Sequence, residues 1–406
     1  MHRDTPLRHL HERYVKDRVR QRANAAESPH RPGAASAVSV ASPEIDWLSY
    51  GPVGADRCEI VGTFGELEAE YAAIRRGAAL IDCPQRGTLV ISGADRAAFL
   101  QRMVTADLKS LAPGTLKRAF WLNRKGRIDA DLKIVELGDR MLIDLDLYQT
   151  ESTTQSLTAF IVADDVEIRN VTDEFHRIVI HGPEAIAVIR FASGDNAFVL
   201  GEDCAARVTL AGVDVVIARS DETGTAGLHL FVPRESAESV WATCASAQGA
   251  ARVRPAGWHA YNIARIEAGT PLFNVDFGTD SLPHETGVLR DRVSFTKGCY
   301  LGQEIVARME SLGQPKQVLI GLRIEGDLLP VAGGQVFAID PAGGMGEQVG
   351  AITSSTLSPM LGAAPIAFAV VRTKHAALGT RLLVNAEGSQ TQAVVHSLRF
   401  LPEMAA

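Results

Sequence analysis

The chain has 406 residues, 46% hydrophobic and 22% charged, which are ordinary globular values and enough length for two or three domains. Forty-one Lys and Arg against 48 Asp and Glu leave a net charge of −7, which argues against a general nucleic-acid binder. No apolar run approaches the ~20 residues of a membrane-spanning helix, and Cys58, Cys83, Cys204, Cys244 and Cys299 form no C-x-x-C pair, which excludes a metal knuckle and fits a reducing cytoplasm.

Residues 1–42 differ from the rest. MHRDTPLRHLHERYVKDRVRQR is dense in Arg and His, and ESPHRPGAASAVSVASP is a small-residue linker bearing proline. Asp4, Glu12 and Asp17 interrupt what would otherwise read as an Arg-rich presequence. The expectation is a floppy, unassigned extension or a start codon placed too early. A short partner-binding helix from Leu7 to Arg22 is the alternative.

From there to residue 315 paired strands alternate with covering helices. Leu67, Tyr71, Ile74 and Ala78 recur at helical spacing, with Gly77 as the stop. GTLVISG alternates as a strand and ADRAAFLQRMV reads as helix. WLNRKGRIDADLKIVEL and GDRMLIDLD read as two strands joined at a Gly-Asp turn. YQTESTTQSLTAFIV is a helix, and VEIRNVTDEFHRIVIHG gives two further strands. This alternation predicts α+β rather than a doubly wound parallel sheet. No G-x-G-x-x-G or G-K-[ST] follows a strand, so dinucleotide and P-loop chemistry lack support. Residues 316–406 hold six or so short alternating runs between Gly, Pro and Asn, which predicts a small antiparallel barrel.

Two stretches carry candidate chemistry. In NRKGRIDADL, Asn123 precedes a turn, and Asp129 and Asp131 share one strand face. Such a pair can bind a cation, hydrogen-bond an amine-rich heterocycle or divide acid and base roles, although a solvated strand face explains it equally. The segment 261–309 holds Arg265 and Glu267 before Gly269, then Pro283-His284-Glu285, then KGCYLGQE (297–304). Leu301, Ile305, Val306 and Met309 recur at helical spacing, which puts Cys299 at or just before a helix N-terminus. Unpaired N–H groups there favour a thiolate, Lys297 can add positive charge, and Gln303 and Glu304 fall in the first turn. A glycine-rich cap with a half-buried thiol accounts for the same pattern. His176 and His181 flank an apolar strand and read as structural, with no third metal-type ligand near them in sequence.

KGCYLGQE, with VSFTKG before it and IVAR after, resembles the signature of the YgfZ-type folate-binding proteins, including their mitochondrial iron–sulfur assembly relatives. These share a fold with aminomethyltransferase, the T-protein of glycine cleavage. EYAAIRRGAALID, WLNRKGRIDADL and RIEAGTPLFNVDF are similar to segments of both, over about residues 46–402. The resemblance implies a three-domain ring around a cavity that binds tetrahydrofolate or a one-carbon derivative. It places the second carboxylate of the T-protein Asp-Asp strand at Asp131 and the first at Ala130. It makes Glu285 the pterin carboxylate, with Asp129, Asn123 and Arg265 as further cofactor-binding candidates. Cys299, with Lys297, Gln303 and Glu304, becomes the functional motif of a factor that assembles or repairs iron–sulfur clusters in client proteins. Because one thiol cannot hold a cluster alone, a partner is implied. The alternative is a folate-dependent aminomethyltransferase, and a plain folate-binding scaffold is a third reading.

Overall fold

A computed structural model describes residues 4–26, 44–52 and 57–402. The chain opens on α1 (Arg8–Ala26), followed by a ribbon of β1 (Asp46–Tyr50) against β2 (Cys58–Thr63). The floppy extension is therefore corrected over its described part, while the linker at 27–43 lies outside the described residues. Leu7 and Val15 are buried, Leu7 in one core with Ile180, Leu230 and Trp241. The helix is mostly polar, so tertiary contacts rather than an apolar stripe hold it. Arg8 pairs with Glu59, and Arg18 stands 3.2 Å from Glu66.

α2 (Leu67–Arg76) stops at Gly77 as the spacing predicts, where a Cβ would lie 2.5 Å from the Arg252 carbonyl oxygen. β3 (Ala78–Asp82), β4 (Arg86–Ser92) and α3 (Arg96–Met103) follow. NRKG is itself a hairpin turn, so the stretch read as one strand is two: β5 (Thr115–Leu122) returns as β6 (Ile128–Glu136). β7 (Met141–Asp146), α4 (Thr150–Thr158) and β8 (Glu167–Asn170) complete an antiparallel sheet ordered β5-β6-β7-β4-β8. Leu89, Phe99, Trp121 and Ile143 fill its core.

A second sheet uses β9 (Phe175–His181), α5 (Ala185–Ser193), β10 (Ala205–Leu210), β11 (Val213–Arg219), β12 (Gly227–Pro233), α6 (Ala237–Ala245) and β13 (Val253–Pro255). Its order is β10-β11-β12-β9-β3-β13, antiparallel except for the β13–β3 pair. α7 (Trp258–Ala268), α8 (Leu289–Arg292) and α9 (Gln303–Leu312) lead to the barrel. There β14 (Gln317–Ile324), β15 (Gln335–Ile339), β16 (Met345–Ser358), β17 (Ala364–Arg372), β18 (Arg381–Ala386) and β19 (Ser389–His396) close in the order β14-β17-β16-β15-β18-β19. Closure leaves the barrel no open edge. The fold is α+β with a C-terminal antiparallel barrel, as expected. Among the described residues no helix is long and apolar enough to cross a membrane.

Candidate functional site

Both sheets, the β1–β2 ribbon and the segment after β19 contribute walls to one cavity of about 410 Å³. Ile60, Val61, Leu272, Phe273 and Val288 make its apolar side. β6 makes much of its polar side. Ile128, Ala130 and Leu132 are buried beneath the sheet, so Asp129, Asp131 and Lys133 share the opposite face. Asp131 lines the cavity and accepts a 3.0 Å hydrogen bond from Arg292 Nε, carried on α8. Asp129 lies outside the lining, where it accepts from Asn123 Nδ2 at 2.9 Å and burial raises its pKa. The two carboxylates do not act on one space. Ala130 sits in the apolar core with Trp121 and Leu89. Position 130 thus faces the core and position 131 the cavity, which has the Asp131 carboxylate in its wall.

The polar base comes from the second sheet. His181 ends β9 and His229 stands on β12, which pair so that Gly227 faces His181. His229 is therefore the diagonal neighbour of His181 on the same face. The β11–β12 turn brings Glu222, whose carboxylate pairs with Lys133 and accepts a 2.8 Å hydrogen bond from Tyr261 on α7. Burial opposes the Glu222 charge, but Lys133 and the two imidazoles outweigh it and hold the carboxyl well below its ordinary range. Burial pushes His181 down to about 4 and, with Lys133, holds His229 well below its ordinary value.

Asp82, at the end of β3, also lines the cavity. Thr5 Oγ1 donates to its Oδ2 at 2.5 Å, His11 Nε2 meets the same oxygen at 2.8 Å, and His176 Nε2 meets Oδ1 at 2.7 Å. Burial works against this carboxylate, and the His176 and His11 interactions overcome it and lower its pKa. His176 is the satisfied structural histidine expected from the sequence. His181 has different neighbours.

Several expected site residues fall elsewhere. Glu285 turns back to accept from the Leu282 backbone N–H at 2.9 Å and lies outside the cavity lining, with its pKa raised by burial. Arg265 is wholly buried between α7 and the barrel, bonded to Asp276 and Ser354 at 2.7 Å each, to Asn262 and to the Thr270 carbonyl. It clamps domains together, and being fully buried outside the cavity lining it does not reach a cofactor there. Glu267 does the same two residues on, through Tyr71, Arg75 and Ser358.

KGCYLGQE also lies outside the lining. Lys297 Nζ donates to the carbonyls of Gln101, Val104 and Ala106, all at 2.7 Å. All three ammonium protons are spent on that turn, so none reaches Cys299, and burial brings the pKa down to about 8. Tyr300 is buried against Phe120, Phe273 and Val306. Gly302, at φ +79°, comes so close to the NRKG hairpin that a Cβ would sit 2.8 Å from the Asn123 carbonyl oxygen. α9 starts at Gln303, whose amide reaches the Gly298 carbonyl at 3.5 Å, and exposed Glu304 pairs with Arg308 at 3.0 Å. Cys299 is the exposed one of the five cysteines, four residues ahead of the helix.

Lys133, Glu222, His229, Tyr261 and Arg292 were missed in the sequence. Only Lys133 carried a usable signal, as the next member of the 129–131–133 alternation.

Two sheet domains and a closed barrel around one charged cavity define a T-protein-like architecture. A solved glycine cleavage system aminomethyltransferase T from Bartonella henselae shares the fold, with a TM-score of 0.77 and 21% identity over 89% of this chain and 95% of that one. Residues 56–297 match the family described as the GCVT N-terminal domain, and residues 317–401 the glycine cleavage T-protein C-terminal barrel domain. The chain belongs to the glycine cleavage T-protein family. It is 30% identical to an aminomethyltransferase of Streptomyces avermitilis over 78% of this chain and 84% of that protein. It is 28% identical to one of Geobacillus kaustophilus over 86% and 96%.

Proposed function

We propose that the chain binds a reduced folate in the central cavity and carries out one-carbon transfer of the aminomethyltransferase kind. The observation that carries this reading is Asp131, a carboxylate in the cavity wall oriented by Arg292. The cavity suits the ligand class: apolar walls at Leu272, Phe273 and Val288 accept a flat ring, and the Lys133–Glu222–Tyr261 cluster offers donors and acceptors to a pteridine edge. Tetrahydrofolate supplies the nucleophilic nitrogen that takes the one-carbon unit. Asp131 is placed to accept a hydrogen bond or proton from that amine, and Arg292 fixes its rotamer. The relatives named aminomethyltransferase support the same reading, which was the alternative in the sequence. Glu285 has no part in it, because its carboxylate caps its own turn.

The test compares tetrahydrofolate binding and aminomethyl transfer in wild type and Asp131→Asn. The variant keeps binding within about tenfold and loses about 10²–10⁴ in turnover, the usual range for a positioned acid or base. Wild-type protein that binds folate and never transfers the group sinks the catalytic part.

One observation favours a second reading, iron–sulfur assembly of the YgfZ type. The motif's neighbours anchor it from within, while Cys299 alone of the cysteines faces outward, where a client protein can reach it. A deletion strain complemented with Cys299→Ala decides it: unchanged iron–sulfur enzyme activities remove this reading and leave the folate one standing.

A further inference from the structure

We infer that His181, Glu222 and His229 form a site for a divalent transition-metal ion of the zinc class, open to the central cavity. One ligand atom from each lies within 4.8 Å of the others. They come from a strand end, a turn and a neighbouring strand of one sheet, so the backbone fixes their spacing. Two imidazoles and a carboxylate match the borderline softness of zinc, and three protein ligands leave a fourth position free. Ligands about 2.0–2.1 Å from tetrahedral zinc stand about 3.4 Å apart, so closure needs side-chain shifts of about an ångström.

A second observation points independently to a ligand. His229 is 5% exposed, and neither of its ring nitrogens has a hydrogen-bond partner among the described residues. A buried imidazole with both nitrogens unpaired is costly and calls for an explanation. Its Nε2 stands 3.9 Å from Glu222 Oε1, too far for a hydrogen bond and suitable for a shared ion. His176, a buried imidazole on the neighbouring strand β9, shows the satisfied alternative, since its Nε2 hydrogen-bonds the Asp82 carboxylate at 2.7 Å.

Lys133 is the resident cation on Glu222, and the ion must displace it. Its alternative seat exists already. Asp144 Oδ2 lies 3.6 Å from Lys133 Nζ, buried and without a hydrogen-bond partner among the described residues. Swinging the ammonium to Asp144 frees Glu222 and moves the positive charge away from the incoming ion. Removing that ammonium should therefore strengthen metal binding, which a site built from unrelated surface groups would not show.

The experiment uses the full chain after chelator treatment, titrated with Zn²⁺ by calorimetry and with Co²⁺ by visible absorption. No folate is present, so the result is separate from the folate reading. One ion binds per chain, the cobalt spectrum lacks a thiolate charge-transfer band, and the melting temperature rises with free metal. His229→Gln and Glu222→Gln each weaken binding by at least about tenfold, and Lys133→Met tightens it. If His229→Gln unfolds, Glu222→Gln and Lys133→Met still give opposite shifts. Absence of a stoichiometric ion in both wild type and Lys133→Met overturns the inference, as does binding indifferent to all three changes.

Discussion

The N-terminal segment and the KGCYLGQE loop both brace the walls of the cavity, but they face opposite ways. Thr5 and His11 bury their polar atoms on Asp82, a residue of the wall itself. Lys297 and Tyr300 are buried as anchors, and the segment between them turns Cys299 to the surface. The first segment spends its chemistry on holding the cavity. The second spends its packing on holding a thiol outside it. Burial therefore separates two sites: an inner one built on Asp131, Glu222 and the histidines, and an outer one reduced to a single exposed residue on a rigid platform.

The largest expected effect breaks the first half of that contrast. Asp82→Ala leaves Thr5, His11 and His176 without their shared acceptor, and loss of one partner from such a buried cluster costs about 3–5 kcal/mol. A thermal melt reads it, and α1 should become protease-sensitive first. Because the folded Asp82 has a lowered pKa, its contribution is complete above the ordinary carboxylate value near 4 and is lost as pH falls from there toward the depressed value. Wild type should lose stability over that acid window, and the variant should lose less. A variant as stable as wild type would mean that α1 is decoration.

That pairing also shows where sequence reasoning stops. Asp82 and His11 lie 71 residues apart, and Arg292 stands 161 residues from Asp131, so no periodicity joins them. Periods of 2 and 3.6 recovered α2, α3, the β6 face and the barrel, because each is a local burial pattern. They left α1 only as the alternative helix at Leu7–Arg22, because its few apolar residues give no clear stripe, and they failed for NRKG, where a hairpin interrupts an apparently continuous strand. Arg265 and Glu285 drew attention through the family resemblance of their segments. Partners such as Asp276 and the Leu282 N–H decide what a charged side chain does, and these become visible only in three dimensions.

An intermediate effect sharpens the second half of the contrast. Lys297→Met removes the donor from three carbonyls at the end of α3 and should cost about 1–3 kcal/mol. Its pH signature has the same sense as that of Asp82 but lies in an alkaline window. The folded ammonium titrates near 8, against about 10.4 when unfolded, so the unfolded chain holds more protons between those values. Wild-type stability gains from this group as pH rises through that window, and the variant lacks the gain. An equal gain in unfolding free energy between pH 8 and pH 10 in wild type and Lys297→Met, read from denaturant melts, would show that Lys297 is not the anchor described.

The smallest effect is the most discriminating. Cys299→Ala deletes an exposed side chain from the loop and should change stability by no more than about 0.5 kcal/mol. In the wild type a bulky thiol reagent should modify one cysteine quickly, since Cys58, Cys83 and Cys244 are buried and Cys204 is partly so. Burial raises the pKa of Cys83 and Cys244 as well, which keeps both thiols protonated and slow. The fast-reacting site should vanish in Cys299→Ala while folate affinity stays unchanged, because no residue of the motif lines the cavity. Loss of folate binding in that variant would couple the outer site to the inner one through Gly302 and the NRKG hairpin, the point where the loop touches the strand bearing Asp131.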